Sequence, residues 1–187
     1  MSEPPTLLGL SGYARSGKDT VGEMLSERYG YVRVAFADLI KTTSLLIDPY
    51  IPVRAGKGLL RLSDVVEIHG WTKAKEKYPE VRQFLQRYGS EAIRDTFGAD
   101  FWVDRLFDTL NLDGKARYVF TDVRFPNEAN RIAREGLVWR ISRPGCEAAN
   151  EHSSEHALDG YPFDAVIEND GSLNDLAAKI AFWRQGQ

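Results

Sequence analysis

Nine residues near the amino end, Gly12-Tyr13-Ala14-Arg15-Ser16-Gly17-Lys18-Asp19-Thr20, constrain the fold of this chain more tightly than any other stretch. A Gly-x-x-x-x-Gly-Lys run cradles phosphate where a strand delivers the backbone and a helix carries it away. Both flanks fit. Thr6-Leu7-Leu8-Gly9-Leu10-Ser11 reads as a short apolar strand, and Val21 to Tyr29 as an amphipathic helix. Gly12 and Gly17 let the backbone curl so that successive N–H groups converge on an anion. The start of the helix adds a partial positive charge, and Lys18 a full one for β- and γ-phosphate oxygens. A chance match would lack such flanks. The whole loop, Arg15, Ser16 and Asp19 included, is the candidate nucleoside triphosphate site.

One departure narrows the choice. Asp19 stands where the motif most often has the Ser or Thr whose hydroxyl touches Mg²⁺, and the hydroxyl comes one step later, at Thr20. Such a Lys-x-Thr end resembles the loop of nucleoside monophosphate kinases more than that of GTPases or motor ATPases.

At 187 residues the chain suits one domain with room for inserted lobes. It is 43% hydrophobic, enough to fill a core. A net charge of −3 argues against a broad nucleic-acid surface, since such domains are strongly basic, but it allows a local basic groove. Cys146 is the only cysteine, so neither an intrachain disulfide nor a zinc knuckle can form. Met1-Ser2-Glu3-Pro4-Pro5 does not read as a signal peptide, and no apolar run approaches the ~20 residues that span a bilayer. The expectation is a cytoplasmic protein (the host cytoplasm, if phage-encoded) with neither a membrane nor a nucleic-acid partner.

Along the chain, Tyr31 to Phe36 reads as a second strand and about Ala37 to Ile47 as a helix. Pro49, Pro52, Gly56 and Gly58 punctuate a loop at 48–60, a candidate hinge or contact of a homodimer. From Leu62 to about Leu110 the pattern is helical in pieces. Leu62, Val65, Val66 and His69 share one face, and Pro79 opens a helix that aligns Val81, Phe84, Leu85 and Tyr88. Gly89 is expected to break it, Ser90 to start another and Gly98 to end that one. Asp100 then caps a last helix carrying Trp102, Val103, Leu106, Phe107 and Leu110. This predicts an all-helical insert between strands. Arg117 to Asp122 is the third strand, Pro126 fits the first turn of a helix to about Arg134, and Leu137 to Ile141 is the fourth strand. An irregular stretch, 143–163, precedes a fifth strand at Asp164 to Glu168 and a last helix over 172–184. Alternating strands and helices imply an α/β fold, with a five-stranded parallel sheet covered on both faces.

Several residues stand where chemistry would be done. Asp122 ends the third strand; it fits a metal-side carboxylate bridging to nucleotide phosphates, and it equally fits the cap of the following helix. Arg124, at the carboxyl end of that strand, suits bidentate phosphate recognition, or an ion pair with Glu128. Glu91 and Arg94 lie three apart on one helical face. With Gln86 they could serve an acceptor phosphate and base, or form an ordinary surface pair. Asp38 and Lys41 follow the second strand at the same end of the sheet. Arg140 and Arg143 frame the stretch before the fifth strand, where arginines in a closing lid would neutralise a transferring phosphoryl group. His152, Glu155 and His156 have a metal-compatible spacing that a solvated loop explains as well.

Gly12–Thr20, Phe36-Ala37-Asp38, Gln86–Arg94 with Phe97-Gly98-Ala99-Asp100-Phe101-Trp102, Asp122–Glu128, Ser153-Ser154-Glu155 and Asn169–Leu173 occur in the order seen in bacteriophage-type deoxynucleoside monophosphate kinases, which the chain resembles over nearly its whole length. The resemblance implies an adenylate-kinase-like P-loop fold: a single kinase domain over 1–187, with a core at about 6–36 and 115–187, a helical monophosphate-binding lobe at about 37–110 and a lid at about 143–163. It implies ATP and Mg²⁺ as cosubstrates and a deoxynucleoside monophosphate as acceptor. Gly12, Ser16, Gly17, Lys18 and Thr20 would hold the ATP phosphates, with Asn169, Gly171 and Ser172 near the adenine. Asp38, Lys41, Gln86, Glu91, Arg94, Trp102 and Arg124 would form the acceptor side. Thr20 and Asp122 would meet the metal, and Lys18, Asp122, Arg124 and Arg143 would serve the transfer. A P-loop kinase of another small acceptor, of the dephospho-coenzyme A or phosphomevalonate type, shares the loop. A nucleotide-dependent switch is disfavoured because the chain has no Asn-Lys-x-Asp guanine-reading motif. The acidic balance weakens a nucleic-acid-binding ATPase further.

Overall fold

The computed structural model describes residues 4–52, 58–147 and 156–184. In chain order its elements begin with β1 (Leu7–Ser11), α1 (Lys18–Tyr29), β2 (Tyr31–Val34), α2 (Phe36–Ile47), β3 (Tyr50–Pro52), β4 (Leu59–Arg61), α3 (Leu62–Lys77) and α4 (Pro79–Gln86). A π-helical turn (Arg87–Arg94) follows, then α5 (Asp95–Phe97), α6 (Phe101–Phe107), β5 (Arg117–Phe120), α7 (Pro126–Ala133), β6 (Gly136–Ser142), β7 (Ala165–Glu168) and α8 (Leu173–Arg184). The chain forms two compact units, Met1–Phe36 with Phe107–Gln187, and Ala37–Leu106.

In the first unit five parallel strands stand in the order β2-β5-β1-β6-β7. The central β1 is buried at all five positions, as an inner parallel strand with both faces covered must be. Leu8 and Leu10 pack with Val21 and Leu25 of α1 and with Leu176 and Ile180 of α8. Each fully buried leucine stabilises this layer by about 2 kcal/mol. On the opposite face Gly9 admits α7 so closely that a Cβ there would stand 3.0 Å from the Ile132 Cδ1. From β1 the chain crosses to β2 on one side; from β5 it crosses to β6 on the other. The carboxyl ends of β1 and β5 therefore adjoin at the crevice where open α/β sheets bind ligands.

The second unit has its own core of Ile51, Leu62, Val65, Ala74, Tyr78 and Val81. Three expectations change here. The stretch 48–60, expected as a loop, carries the antiparallel pair β3–β4, with Tyr50 opposite Arg61 and Ile51 opposite Leu60. Residues 53–57, with Gly56, lie outside the described residues. Ile51 drives the pairing by entering the core, the Arg61 guanidinium lies 4.0 Å from the Tyr50 ring centre, and the Asp48 carboxylate accepts the Ser63 N–H at 2.8 Å at the start of α3. The hairpin ends at Arg61, and from Leu62 to Phe107 the elements are all helical, as expected of the insert. Gly89 does not break a helix but lies inside the π-turn, where a Cβ would stand 2.9 Å from the Ile40 Cδ1. Finally, α6 ends at Phe107 rather than Leu110: the Leu110 N–H donates to the Phe107 carbonyl at 3.1 Å in a tighter turn, and the Phe107 ring stacks on Phe120 with centres 5.3 Å apart. Among the described residues no helix is long and apolar enough to cross a membrane.

Candidate active site

The phosphate loop leaves β1 at Gly12, whose φ of 140° is open to glycine and strained for other residues. A Cβ there would collide with the Ile141 carbonyl and come within 2.8 Å of the Ser16 Oγ. Arg15 is itself left-handed, at φ 65°, and exposed. Gly17, at φ 105°, starts α1, and the Val21 N–H donates to its carbonyl at 3.0 Å. Lys18 folds back over the loop, donating from Nζ to the Gly12 carbonyl at 2.7 Å and the Tyr13 carbonyl at 2.8 Å. The Ser16 hydroxyl is buried without a hydrogen-bond partner. An orphaned buried hydroxyl costs about 1–3 kcal/mol, which a phosphate oxygen in the loop would relieve. The cradle, the lysine and the orphan hydroxyl all fit a polyphosphate. Asp19 points to solvent, 3.8 Å from Arg33, and Thr20 is half-buried in the first turn of α1.

Asp122, just past β5, accepts the Phe36 N–H on Oδ1 at 2.8 Å. It thus caps a helix, but α2 rather than the α7 that follows it. Pro126 opens α7, and the buried Glu128 accepts the N–H groups of Arg124 and Phe125 on Oε2 at 2.8 and 3.0 Å. Those two bonds fix the backbone that presents the exposed Arg124.

At the switch point an open cleft of ≈ 290 Å³ is lined by Ser11, Gly12, Tyr13, Arg124, Arg140 and Leu158. Arg140 pairs in register with Ser11, so β6 sets its guanidinium beside the loop. It donates to the Leu158 carbonyl and to Asp159 Oδ1, both at 3.2 Å, and lies 4.8 Å from the Tyr13 ring centre. Arg143, the other lid candidate, is exposed beyond β6, and its carbonyl accepts the Cys146 N–H. The expected lid falls partly on residues 148–155, including His152 and Glu155, which lie outside the described residues. His156 Nδ1 stands 3.0 Å from Asp159 Oδ2, and among the described residues no His, Cys, Asp and Glu cluster forms a metal site.

Tyr13 and Asp159 were invisible as a pair in sequence. The Tyr13 hydroxyl donates to Asp159 Oδ1 at 2.7 Å, which raises the tyrosine pKa and, with the contact to His156, holds Asp159 below the usual carboxylate range. At the end of β7 the Asn169 side-chain amide donates to the Ser16 carbonyl at 2.9 Å, so it braces the loop directly. Ser172 caps α8, exchanging hydrogen bonds with Asp175, and Gly171 packs against that carboxylate.

In the second unit Asp38 and Lys41 pair with each other at 2.7 Å. Glu91 stands 3.6 Å from Arg87, one π-turn earlier. Gln86 and Arg94 are half-buried at the two ends of that turn. Trp102 is 5% exposed and donates its indole N–H to the Gly89 carbonyl at 2.9 Å, so it supports the turn from inside.

Known proteins agree with this architecture. A solved shikimate kinase from Aquifex aeolicus covers 96% of both chains with a TM-score of 0.50 at 13% identity, a likeness of fold alone. A putative deoxynucleotide monophosphate kinase of Acanthamoeba polyphaga mimivirus is 30% identical over 197 residues, covering 93% of each chain. The deoxynucleotide monophosphate kinase of Enterobacteria phage T4 is 34% identical over 105 residues, 54% of this chain and 43% of that one. The deoxynucleotide monophosphate kinase family model matches residues 43–180. With a family match over most of its length and a relative 30% identical across 93% of both chains, the chain belongs to the deoxynucleotide monophosphate kinase family.

Proposed function

We propose that this kinase transfers the γ-phosphoryl group of ATP to a deoxynucleoside monophosphate, giving the diphosphate and ADP. The observation that carries the reading is the phosphate cradle of Gly12, the orphaned Ser16 hydroxyl and Lys18, opening beside Arg124 at the switch point of the sheet. Such transfer asks the protein for positioning and charge neutralisation rather than covalent chemistry. Lys18 exchanges its loop carbonyls for phosphate oxygens and follows the migrating charge. Arg124 and Arg94 are assigned to the acceptor phosphate, with Asp38, Lys41, Gln86 and Glu91 serving the monophosphate and Trp102 supporting them. Arg143 is assigned to the transferring group. Asn169 holds the loop while Gly171 and Ser172 shape the end of β7 toward the adenine. The Thr20 hydroxyl and the Asp122 carboxylate would be the oxygen donors that hold Mg²⁺, which would supply positive charge to the polyphosphate.

Coupled ADP release with ATP, Mg²⁺ and each of dAMP, dCMP, dGMP and dTMP tests this. Stimulation by one or more is expected, falling at least about a hundredfold in a folded Lys18→Ala variant. ATP binding without stimulation by any of the four would turn the reading toward another small acceptor.

A further inference from the structure

One carboxylate outside the cleft gathers the two side chains that shape its wall. Tyr13 belongs to the phosphate loop: its carbonyl accepts from both Lys18 Nζ and the Ser16 N–H, so the position of this residue sets where the cradle's cation and backbone lie. Its hydroxyl reaches Asp159 Oδ1 at 2.7 Å. Arg140 comes from the neighbouring strand and reaches the same oxygen with Nη2 at 3.2 Å, while Nη1 is held by the Leu158 carbonyl. The guanidinium lies against the Tyr13 ring, and its side chain is only 18% exposed. The second carboxylate oxygen faces His156 Nδ1 at 3.0 Å. Tyr13 and Arg140 line the cleft; Asp159 does not.

We propose that Asp159 is a positioning residue of the phosphate site, fixing the Arg140 guanidinium at the cleft wall and anchoring the phosphate loop through the Tyr13 hydroxyl. A guanidinium forked onto a carboxylate and a carbonyl keeps its remaining N–H groups in one orientation, ready for an anion. A loop tied at Tyr13 keeps its carbonyls and N–H groups in place as Lys18 moves from them to a phosphate. Both effects act on any polyphosphate in the cradle. The cleft's part in catalysis rests on the kinase reading above, whereas anion binding does not.

Calorimetric titration with inorganic tripolyphosphate, beside steady-state kinetics, tests it on wild type, Asp159→Asn, Tyr13→Phe and their double variant. Asp159→Asn should weaken tripolyphosphate roughly tenfold or more, the scale seen when the partner that orients a metal-binding side chain is removed. In the Tyr13→Phe background the same change should cost less, since both remove one shared contact. Arg140→Met should weaken binding at least as much as Asp159→Asn. Asp159→Glu, which keeps the charge, should recover part of the loss and keeps the test usable if Asp159→Asn unfolds. Tripolyphosphate affinity within twofold of wild type in folded Asp159→Asn overturns the proposal, whatever happens to its melting temperature. Weakened tripolyphosphate binding in a protein that no deoxynucleoside monophosphate stimulates would instead overturn the deoxynucleoside monophosphate as acceptor and leave Asp159's role standing.

Discussion

Gly12 carries a conformational demand that no other residue type meets. Its φ of 140° and the closeness of the Ile141 carbonyl leave no room for a side chain, so Gly12→Ala must distort the loop. Backbone strain of this kind costs about 1–3 kcal/mol. We expect a lowered urea midpoint and loss of ATP binding by titration; wild-type affinity in that variant would show that the cradle is not where the phosphates sit. Gly12, Gly17 and Lys18 were legible in sequence because their whole meaning lies within seven residues. Asp122 was legible only as a carboxylate in a useful place. Its backbone partner, Phe36, lies 86 positions away, and no local pattern distinguishes capping α2 from capping α7. Asp159 carried no signal, since its partner Tyr13 is 146 positions distant.

Among the elements, the π-turn departs furthest from what periodicity suggests. Gly89 reads as a helix breaker because glycine costs about 1 kcal/mol against alanine in a helix interior. Packing outweighs that: the missing Cβ admits Ile40, and the buried Trp102 indole takes the Gly89 carbonyl. Glu91 stands 3.6 Å from Arg87, an i,i+4 contact that the spacing of Glu91 and Arg94 does not reveal. Trp102→Phe removes the indole donor and leaves a small void, which should destabilise the protein by about 2–3 kcal/mol in urea unfolding. Because Glu91 and Arg94, proposed for the acceptor side, ride on the turn, KM for the monophosphate should rise while KM for ATP holds. Equal changes in both would remove the turn from acceptor binding. The helices flanking it were readable from their apolar stripes. The β3–β4 hairpin was not, because three-residue strands are too short to show an alternation and the same prolines and glycines mark a loop.

Across the whole molecule, the order of strands and helices was legible because alternation is a global pattern that errors of one or two residues at each boundary leave intact. Among the described residues three carboxylates contribute to its response to acid, all in the first unit. Asp159 is held low by the Tyr13 hydroxyl and then His156, Asp170 by Lys179, and Asp175 by Ser172. A carboxylate with a lowered native pKa binds fewer protons folded than unfolded at acid pH. Its contribution is therefore complete above the ordinary carboxylate value and disappears as pH falls through the native one. The melting temperature should stay level from about pH 8 to pH 5 and drop below about pH 4. Lys179 supplies the internal control, since its ammonium holds Asp170 at 2.6 Å and the Glu168 carbonyl at 2.7 Å, tying the middle of α8 to the end of β7. Lys179→Met returns Asp170 toward its ordinary value, so this variant should melt below wild type at pH 7 by a margin that narrows as pH falls toward 3. The carbonyl contact is insensitive to acid and leaves a constant remainder. A margin that is the same at both pH values would mean that Asp170 contributes nothing and that Lys179 acts through Glu168 alone.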